Sequence, residues 1–401
     1  MSSHKLRPIA IYLPQFHPIP ENDEWWGKGF TEWTNVAKAK PLFKGHYQPH
    51  LPADLGFYDL RLPETRMAQA ALAKEYGIYG FCYYHYWFNG RRILERPFQE
   101  VFESGEPDFP FMLCWANENW TRVWDGGDKD VLLEQHYSLQ DDLEHIRSLI
   151  PYFKDRRYIR VNNKPVIAIY RSTLLPDVRS TIHTWRSEAA KHGLDLYICR
   201  FESCQIGGPE YLEPGFDAAI DLQPWSREMN GYREQRNQEL FQSFAYRAEQ
   251  FFYRRIVKHV APKAFAAHRL RTHDKLYNGY QFDYGDYVQY LLKQPLPAYK
   301  VFPGITSMWD NSSRRKKSPG IMLNASPALY RQWLQHIVQQ FRTFSDDENF
   351  VFINAWNEWA EGCHLEPCRK WGTTYLEITR DVFGQQNMAS VNNRSKEPVE
   401  L

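Results

Sequence analysis

The sequence predicts a (β/α)₈ barrel with long βα-loop insertions on its catalytic face, and three observations lead to this α/β fold class. Eight short apolar runs alternate with longer amphipathic stretches along the 401 residues. No linker rich in Gly or Ser divides the chain. A doubly wound sheet is the alternative, and neither a G-x-G-x-x-G nor a P-loop signature supports it. The predicted strands cover residues 8–13, 80–86, 110–115, 165–170, 195–201, 216–222, 301–309 and 350–356.

Amphipathic periodicity and capping residues predict helices between these strands. Pro63 begins one helix and Gly77 follows its end. Ser326 and Pro327 form a favourable pair of N-cap and first helical residue in another. The predicted helices cover residues 63–76, 91–103, 139–153, 177–192, 284–293 and 327–341.

Two segments are too long for the loops of a minimal barrel. Residues 19–58 are rich in Trp, Gly, Pro and His, and residues 224–280 have a basic aromatic middle. For residues 253–258 a solvated helix face is preferred to a polyanion site. Both segments are predicted as insertions that follow strands on the catalytic face. The domain prediction is one catalytic domain over residues 1–384, followed by a polar tail at 385–401.

Composition and charge exclude several classes of function. Lys and Arg number 49 against 48 Asp and Glu, so the chain shows no electrostatic footprint for nucleic acid. It has no signal-peptide core and no apolar stretch that could span a bilayer, so a cytoplasmic location without a membrane span is expected. The six cysteines lack zinc spacing and no H-E-x-x-H occurs, so no metal and no cofactor are expected. The aromatic content of 16% hints at a carbohydrate partner.

The end of the eighth predicted strand holds the candidate catalytic residues. Within FVFINAWNEWAEGCHLEP at residues 350–367, Glu358 and Glu361 stand three residues apart beside tryptophans. Side chains just past a barrel strand project into the cleft, where two carboxylates can serve as general acid and general base on a sugar. In the alternative, Glu358 caps a helix or pairs with an Arg, and the tryptophans are core. Because both carboxylates leave one strand, substrate-assisted chemistry is favoured over a carboxylate nucleophile.

Similar polar and aromatic clusters follow other strands and predict contacts with the substrate. The run WANENW at residues 115–120 nearly repeats the composition of residues 356–361, with a surface turn as the alternative. For His17 and His85 a structural role and a substrate role are weighed evenly, because both lie at predicted strand ends. The predicted substrate-binding residues are His17, Tyr84, His85, Trp87, Trp115, Asn117, Glu118, Trp120, Glu202, Trp309, Asp310, Asn354, Trp356 and Asn357.

Five motifs together resemble the WbsX family. They are YLPQFH at residues 12–17, GFTEWTN at 29–35, GFCYYH at 80–85, WANENW at 115–120 and NAWNEWAE at 354–361. The resemblance runs from about residue 8 to 380. WbsX proteins are found in bacterial polysaccharide gene clusters and are often labelled glycosyltransferases. The family is similar in turn to glycoside hydrolase family 99, the endo-α-mannosidases, mainly through the last motif, and that similarity implies a (β/α)₈ barrel.

The similarity to the mannosidases implies a retaining mechanism without a protein nucleophile. Glu358 then corresponds to the base on the sugar 2-hydroxyl, which attacks the anomeric carbon to give a 1,2-anhydro sugar. Glu361 corresponds to the acid that protonates the leaving group and then activates water. The mannosidases typically carry His between the last Trp and the second Glu, where this sequence has Ala360. We expect that difference to affect the identity of the substrate sugar more than the roles of Glu358 and Glu361.

Taken together, the sequence predicts a retaining glycoside hydrolase. It is expected to be endo-acting on an oligosaccharide or polysaccharide, either a bacterial surface polysaccharide or a mannose-like glycan. The alternative is a glycosyltransferase in lipopolysaccharide, O-antigen or capsule biosynthesis, for which the sequence offers no nucleotide-binding fingerprint. A non-catalytic carbohydrate-binding barrel is the third hypothesis, and the presence of both Glu358 and Glu361 argues against it.

Overall fold

A ring of parallel strands forms the centre of the protein in a computed structural model that describes residues 5–122, 127–203, 206–273, 281–315 and 318–394. All eight predicted strands are present, although the seventh is broken into two segments by Pro303. The strands are β1 (Arg7–Tyr12), β2 (Gly80–Phe88), β3 (Phe111–Trp115), β4 (Lys164–Ile169), β5 (Tyr197–Glu202), β6 (Ala218–Asp221), β7 (Val301–Phe302 and Gly304–Thr306) and β8 (Phe350–Asn354).

Hydrogen-bonded neighbours run in parallel from β6 through β5, β4, β3, β2 and β1 to β8. The first segment of β7 pairs with β6 and its second segment pairs with β8. Between the two segments, the Phe352 amide donates to the Pro303 carbonyl at 2.9 Å. The sheet therefore closes through β7, and the predicted barrel is confirmed.

The break in β7 has a local cause. Pro303 has no N–H to donate to a ladder. At the next residue, Gly304, an added Cβ would lie 1.9 Å from the carbonyl oxygen of Asp221 on β6. Only a residue without a side chain allows this approach, so this glycine lets β7 stay beside β6 at the end of the barrel that carries the loops.

The barrel strands are covered on both faces. Every residue of β3 and of β8 is buried, as expected for parallel strands between a filled barrel interior and a helical layer. Two helices begin as predicted, because Ser138 and Ser326 cap them by accepting hydrogen bonds from backbone amides. The helices are Pro20–Trp26, Glu32–Lys38, Pro63–Glu75, Arg96–Ser104, Leu139–Phe153, Val178–Lys191, Arg227–Gln242, Phe244–Phe252, Tyr253–Val257 (a π-helix), Lys258–Val260, Pro262–His273, Tyr284–Leu291, Pro327–Gln340 and Thr374–Arg394. Further short strands are Arg91–Ile93, Trp120–Arg122, Gly127–Leu133, Arg160–Val161, Gln281–Asp283, Ile321–Leu323, Asn357–Glu358 and Cys363–His364.

The helix predicted over residues 91–103 is wrong at its start. Residues Arg91–Ile93 form a strand that pairs antiparallel with β2, and the helix begins only at Arg96. The cause is the turn at Asn89 and Gly90, which have φ values of 48° and 84°. An Asn-Gly pair with both residues at positive φ is the preferred two-residue hairpin turn, so its chemistry outweighs the helical pattern that follows.

The two segments predicted as insertions follow β1 and β6, and both leave the barrel at the carboxyl ends of those strands. The first holds helices Pro20–Trp26 and Glu32–Lys38, and the second holds the helical residues from Arg227 to His273. Residues 274–280 of the second segment lie outside the described residues. The last helix ends at Arg394, past residue 385 where the tail is predicted to begin, and residues 395–401 are again not described. No helix in the described part of the chain has the length and apolar character needed to cross a bilayer.

Two buried histidines join β2 to the helix behind it. The Nε2 atoms of His85 and His145 lie 3.0 Å apart, and the ring of Trp87 stacks on His145 with centroids at 4.8 Å. Burial lowers the pKa of His85 to about 3 and lowers the pKa of His145 well below its ordinary value. Since one ring must accept the hydrogen bond that the other donates, the contact requires at least one neutral ring.

Acid should destabilise the fold through this pair. A histidine whose pKa is lower in the folded than in the unfolded state stabilises fully above about pH 6.5, and that contribution is lost as pH falls toward the folded pKa. Each buried ring should therefore remove about 1–2 kcal/mol from the free energy of unfolding near pH 5. His145→Phe should reduce this acid-induced loss in urea unfolding measured at about pH 7.5 and about pH 5.

The matched control is His183→Phe, because His183 is exposed on the neighbouring helix Val178–Lys191. This control should keep the wild-type difference between the two pH values. An unchanged difference in His145→Phe would contradict the role given to the pair.

Candidate active site

The chain reverses direction after β8 and carries both candidate catalytic residues in that turn. Asn357–Glu358 pairs antiparallel with Cys363–His364, and Trp359–Glu361 forms a single 3₁₀ turn between them. The Trp359 ring stacks on His364 with centroids at 3.8 Å, which closes the turn against the core. Glu358 and Glu361 thereby lie at the carboxyl end of the barrel, where the sequence predicts the cleft.

Asn357 fixes the start of this turn. It is fully buried, its Oδ1 accepts from the Leu13 amide at 2.8 Å, and its Nδ2 donates to the Leu13 carbonyl at 3.0 Å. The loops that follow β1 and β8 are therefore bound together by one side chain. The next residue in the chain, Glu358, takes its position from this contact.

Arg314 binds both candidate catalytic carboxylates and a third one. Its Nη2 lies 3.0 Å from Glu358 Oε2 and its Nη1 lies 2.8 Å from Glu361 Oε1. The same Nη2 lies 3.0 Å from Oε2 of Glu32, the first residue of helix Glu32–Lys38. Glu32 is fully buried and the Arg314 side chain is 10% exposed. This arginine, which follows β7, therefore gathers groups from the loops after β1 and β8.

The charges of this cluster cannot all be satisfied at once, because one guanidinium faces three carboxylates. Burial is the largest cause that raises the pKa of Glu358 to about 8, and the charges of Glu361 and Glu32 add to it while Arg314 opposes it. Burial likewise raises the pKa of Glu32. The cluster therefore holds a proton near neutral pH, so a carboxylic acid and a carboxylate stand side by side.

A cavity of about 240 Å³ opens above these groups. Glu358, Glu361 and Arg314 provide its charged side, and tyrosine and tryptophan rings provide its walls. Polar groups at the base and flat aromatic faces at the side are suited to a ligand with both hydroxyl groups and apolar faces. The lining residues are Leu13, Gln15, Trp26, Tyr84, Tyr86, Ala116, Glu118, Asn119, Trp120, Thr121, Leu132, Tyr170, Arg314, Glu358 and Glu361.

Strand alternation divides the residues of β2 between the cavity and the helical layer. Tyr84 and Tyr86 line the cavity. His85 and Trp87 lie on the opposite face, where Trp87 Nε1 donates to Asp141 at 2.9 Å on helix Leu139–Phe153. The structure thus places His85 and Trp87, predicted as substrate contacts, behind the barrel wall.

Five of the residues predicted from the sequence meet at the cavity. Glu118 accepts a hydrogen bond from Arg171, and burial raises its pKa while Arg171 opposes that rise. Trp120 meets the Tyr86 ring edge to face at 5.3 Å. The five residues are Tyr84, Glu118, Trp120, Glu358 and Glu361.

Two more predicted amides are bound to backbone, as Asn357 is. Asn117 Oδ1 accepts from the Arg171 amide at 2.8 Å, and its Nδ2 donates to the Arg171 carbonyl at 3.0 Å. Asn354 Nδ2 donates to the Gln223 carbonyl at 2.8 Å. Asn117 thus binds the loop after the adjacent strand β4, and Asn354 binds the loop after β6, on the far side of β7. Neither side chain lines the cavity.

Three more predicted residues are buried away from the cavity. Trp115 and Trp356 have no exposed surface, with Trp115 against His145 and Trp356 against Phe81. His17 is 1% exposed, and burial lowers its pKa to about 4. These three rings are packed in the protein interior and do not reach the cavity.

The last three predicted residues line other cavities. Glu202 lies in a cavity of about 270 Å³ beside helix Pro327–Gln340 and accepts from the Gly208 amide at 3.1 Å. Trp309 and Asp310 lie in a cavity of about 350 Å³, where Asp310 Oδ2 is 2.6 Å from His46 Nε2.

Ten of the fifteen lining residues are absent from the sequence-based set, among them Tyr86, Tyr170 and Arg314, and so is Glu32, which supports the cavity through Arg314. Alternation from Tyr84 is a signal that could have found Tyr86. Arg314 stands in SRRKK at residues 313–317, which reads as a solvated loop, and Glu32 is the single acid of GFTEWTN. Among the described residues, no three His, Cys, Asp or Glu side chains group as metal ligands.

Comparisons with known proteins agree with the fold and name a family. A family model described as glycosyltransferase WbsX matches residues 8–379. The uncharacterized protein WxcX of Xanthomonas campestris pv. campestris strain B100 is 41% identical over 380 residues, which is 94% of this chain. WxcX of a second strain is also 41% identical over 380 residues. The chain spans about half the length of these curated relatives, 49% in each case.

Solved structures resemble the barrel at low sequence identity. The GH99 endo-alpha-mannosidase from Bacteroides thetaiotaomicron, in complex with BIS-TRIS-propane, superposes with a TM-score of 0.54 at 11% identity. That likeness covers 98% of this chain and 99% of the other. A glycoside hydrolase-like protein superposes with a TM-score of 0.53 at 13% identity, over 96% of this chain and 95% of the other. At these identities the likeness extends to the fold alone.

Removing the shared cation should expose the repulsion among its carboxylates. Arg314→Met should lower the free energy of unfolding by about 3–5 kcal/mol near pH 7.5, because it leaves buried carboxylates without their counter-charge. Part of that loss should return near pH 5, where the carboxylates are protonated. Denaturant unfolding at the two pH values measures both effects.

Arg61→Met is the comparison variant, because Arg61 pairs with Asp59 at a half-exposed site. Its cost should stay below about 1 kcal/mol. A loss in Arg314→Met as small as this, or one without pH dependence, would refute the cluster's electrostatic role.

Proposed function

The chain belongs to the WbsX family, and from the arrangement of Glu358 and Glu361 we propose that it is a retaining glycoside hydrolase. The observation that carries the proposal is that one turn brings both carboxylates to a single guanidinium at the base of an aromatic-walled cavity. Its substrate in this proposal is a bacterial surface polysaccharide or a mannose-like glycan, cut within the chain. The GH99 fold of the solved neighbours supports the assignment.

In the first step Glu358, ionised, removes the proton of the sugar 2-hydroxyl. The resulting oxygen attacks the anomeric carbon as the bond to the leaving oxygen breaks, and Glu361 donates its proton to that oxygen. The product is a 1,2-anhydro sugar. In the second step Glu361 takes a proton from water, the water oxygen attacks the anomeric carbon, and the 2-oxygen recovers its proton from Glu358.

The charge cluster suits this proton exchange. A carboxyl group with a pKa of about 8 is a stronger base, once ionised, than an ordinary Glu, which favours removal of a hydroxyl proton. Arg314 contacts both carboxylates and keeps its charge throughout, so it can stabilise whichever of them is ionised. Tyr84, Tyr86 and Trp120 supply faces against which the sugar ring can pack.

Glycosyl transfer is the second candidate function, because the matched family is described as a glycosyltransferase. The same two carboxylates serve it, since a sugar hydroxyl can replace water in the second step. A transferase that uses an activated donor differs from this in requiring a sugar nucleotide.

Each of the two substitutions Glu358→Gln and Glu361→Gln should reduce turnover by about 10³-fold or more, because each amide retains the shape of the carboxyl group and cannot exchange the proton. Binding of glycan should persist in both variants. Mass spectrometry of products from mannans and bacterial surface glycans, with and without sugar nucleotides, measures the reaction.

Glu118→Gln is the matched control, since Glu118 lines the same cavity and has no assigned proton transfer. It should retain far more activity than the other two variants. Wild-type turnover in Glu361→Gln would refute the acid assignment, and wild-type turnover in Glu358→Gln would refute the anhydro-sugar route. Chain extension that depends on a sugar nucleotide would establish the transferase instead.

The pH dependence of kcat/KM should report the raised pKa of Glu358 within the pair. The first step needs one of the two carboxyl groups ionised and the other protonated, so kcat/KM should follow a bell-shaped pH profile whose upper limb lies near pH 8, where the pair loses its remaining proton. A profile with no limb near pH 8 would contradict a proton shared by the pair at neutral pH. In Glu358→Gln this limb should disappear from any residual activity.

A further inference from the structure

The insertion after β6 presents large apolar side chains to solvent. Helix Phe244–Phe252 continues through residues 253–260, and helix Pro262–His273 folds back against it. We call residues 244–260 together with 262–269 the insertion hairpin. Its most exposed large apolar residues are Phe244 at 86%, Phe251 at 64%, Phe252 at 49%, Ile256 at 49% and Val260 at 79%.

These side chains are not those that hold the hairpin together. The contact between its two arms uses Gln250 and Tyr253, which reach His268 through a hydrogen bond at 3.2 Å and a stacked ring at 3.6 Å. Phe244 and Phe251 are seven residues apart, so they share one face of the helix, opposite the half-buried stripe that includes Tyr253. Exposed apolar surface of this extent is typical of an interaction site.

Positive charge is concentrated in the same hairpin. The insertion hairpin contains six Lys and Arg and one acidic residue, Glu249, whereas the rest of the chain contains 43 basic and 47 acidic residues. Arg254, Arg255 and Lys258 are exposed among the apolar residues, and the Arg255 guanidinium lies 5.9 Å from the centroid of the Phe251 ring. The surface therefore combines aromatic rings with cations.

We propose that the insertion hairpin binds the surface of an anionic lipid bilayer. Phenylalanine rings can enter the boundary between headgroups and acyl chains, while Arg and Lys pair with lipid phosphates. Charge favours this occupant over a second copy of the chain, because two such hairpins in contact would bring like charges together. Nucleic acid would account for the cations and leave five large apolar side chains in water.

Membrane binding would attach the barrel through one of its insertions. β6 ends at Asp221, and the hairpin follows it from the same end of the barrel that carries Glu358 and Glu361. A protein held through the hairpin would therefore be attached to the membrane through the insertion that follows β6. The inference is independent of the reaction assigned to the cavity.

The test is sedimentation of the whole chain with vesicles. Vesicles of phosphatidylcholine containing one quarter phosphatidylglycerol should bind the protein about tenfold or more tightly than vesicles of phosphatidylcholine alone. Raising the salt to about 0.5 M should weaken the binding strongly, because screening shortens the reach of the charges.

Two pairs of substitutions separate the two contributions. Arg254→Glu with Arg255→Glu should lower binding to anionic vesicles about tenfold or more. Phe251→Ser with Phe252→Ser should lower it about tenfold and leave the salt dependence in place. The controls are Lys154→Glu with Arg179→Glu and Met67→Ser with Leu139→Ser, which alter exposed residues elsewhere and should bind as wild type.

Thermal unfolding of every variant shows whether the fold is kept, and the lipid preference of the wild type tests the proposal without any substitution. Equal binding of the wild type to neutral and anionic vesicles, or no binding to either, would overturn it. So would an equal loss in the control pairs. A concentration-dependent dimer that forms without lipid and is lost in Phe251→Ser with Phe252→Ser would assign the face to a second copy of the chain.

Discussion

The contact of one guanidinium with three carboxylates is the constraint on which the candidate active site depends. Arg314 follows β7, Glu32 follows β1 and Glu358 follows β8, so three loops meet at one cation. Without it the carboxylates would repel one another in a site largely closed to water. With it they can stand close enough to act on one ligand while retaining a proton among them. Arg314 thus holds the groups in position, while burial raises the pKa of Glu358 against the opposing charge of Arg314.

The barrel could be predicted from the sequence because its signals are local. Each parallel strand lies between a filled interior and a helical layer, so runs such as FVFIN in β8 are apolar throughout and visible without knowledge of their neighbours. The direction of parallel strands then places the residues that follow β8 at the loop-bearing end, which is why Glu358 and Glu361 could be predicted to lie beside the cavity. The helix predicted to begin at residue 91 shows the limit of local signals. The Asn-Gly turn before it makes residues 91–93 a strand, and the helix begins only at Arg96.

Much of the site could not be predicted because it depends on partners far away in the chain. Arg314 contacts Glu32 across 282 residues, and no local pattern marks that pairing. In β2 the period of two is evident, yet nothing local states which of Tyr84 and His85 faces the cavity. Polar side chains such as Asn117 resemble ligand contacts in sequence, whereas their hydrogen bonds go to backbone. A polar residue at a strand end therefore indicates the end of the barrel rather than contact with substrate.

The pairing of β1 with β8 makes the site a property of the closed ring. During synthesis Glu32 is added early, Arg314 much later, and Glu358 only after β8. A growing chain that contains only β1 to β7 still lacks Glu358 and Glu361, the two carboxylates of the turn after β8. The side-chain amide of Asn357 binds that turn to Leu13, so the three carboxylates come together only where β8 pairs with β1. A chain that ends before β8 contains most of the barrel strands and lacks both Glu358 and Glu361 of the candidate site.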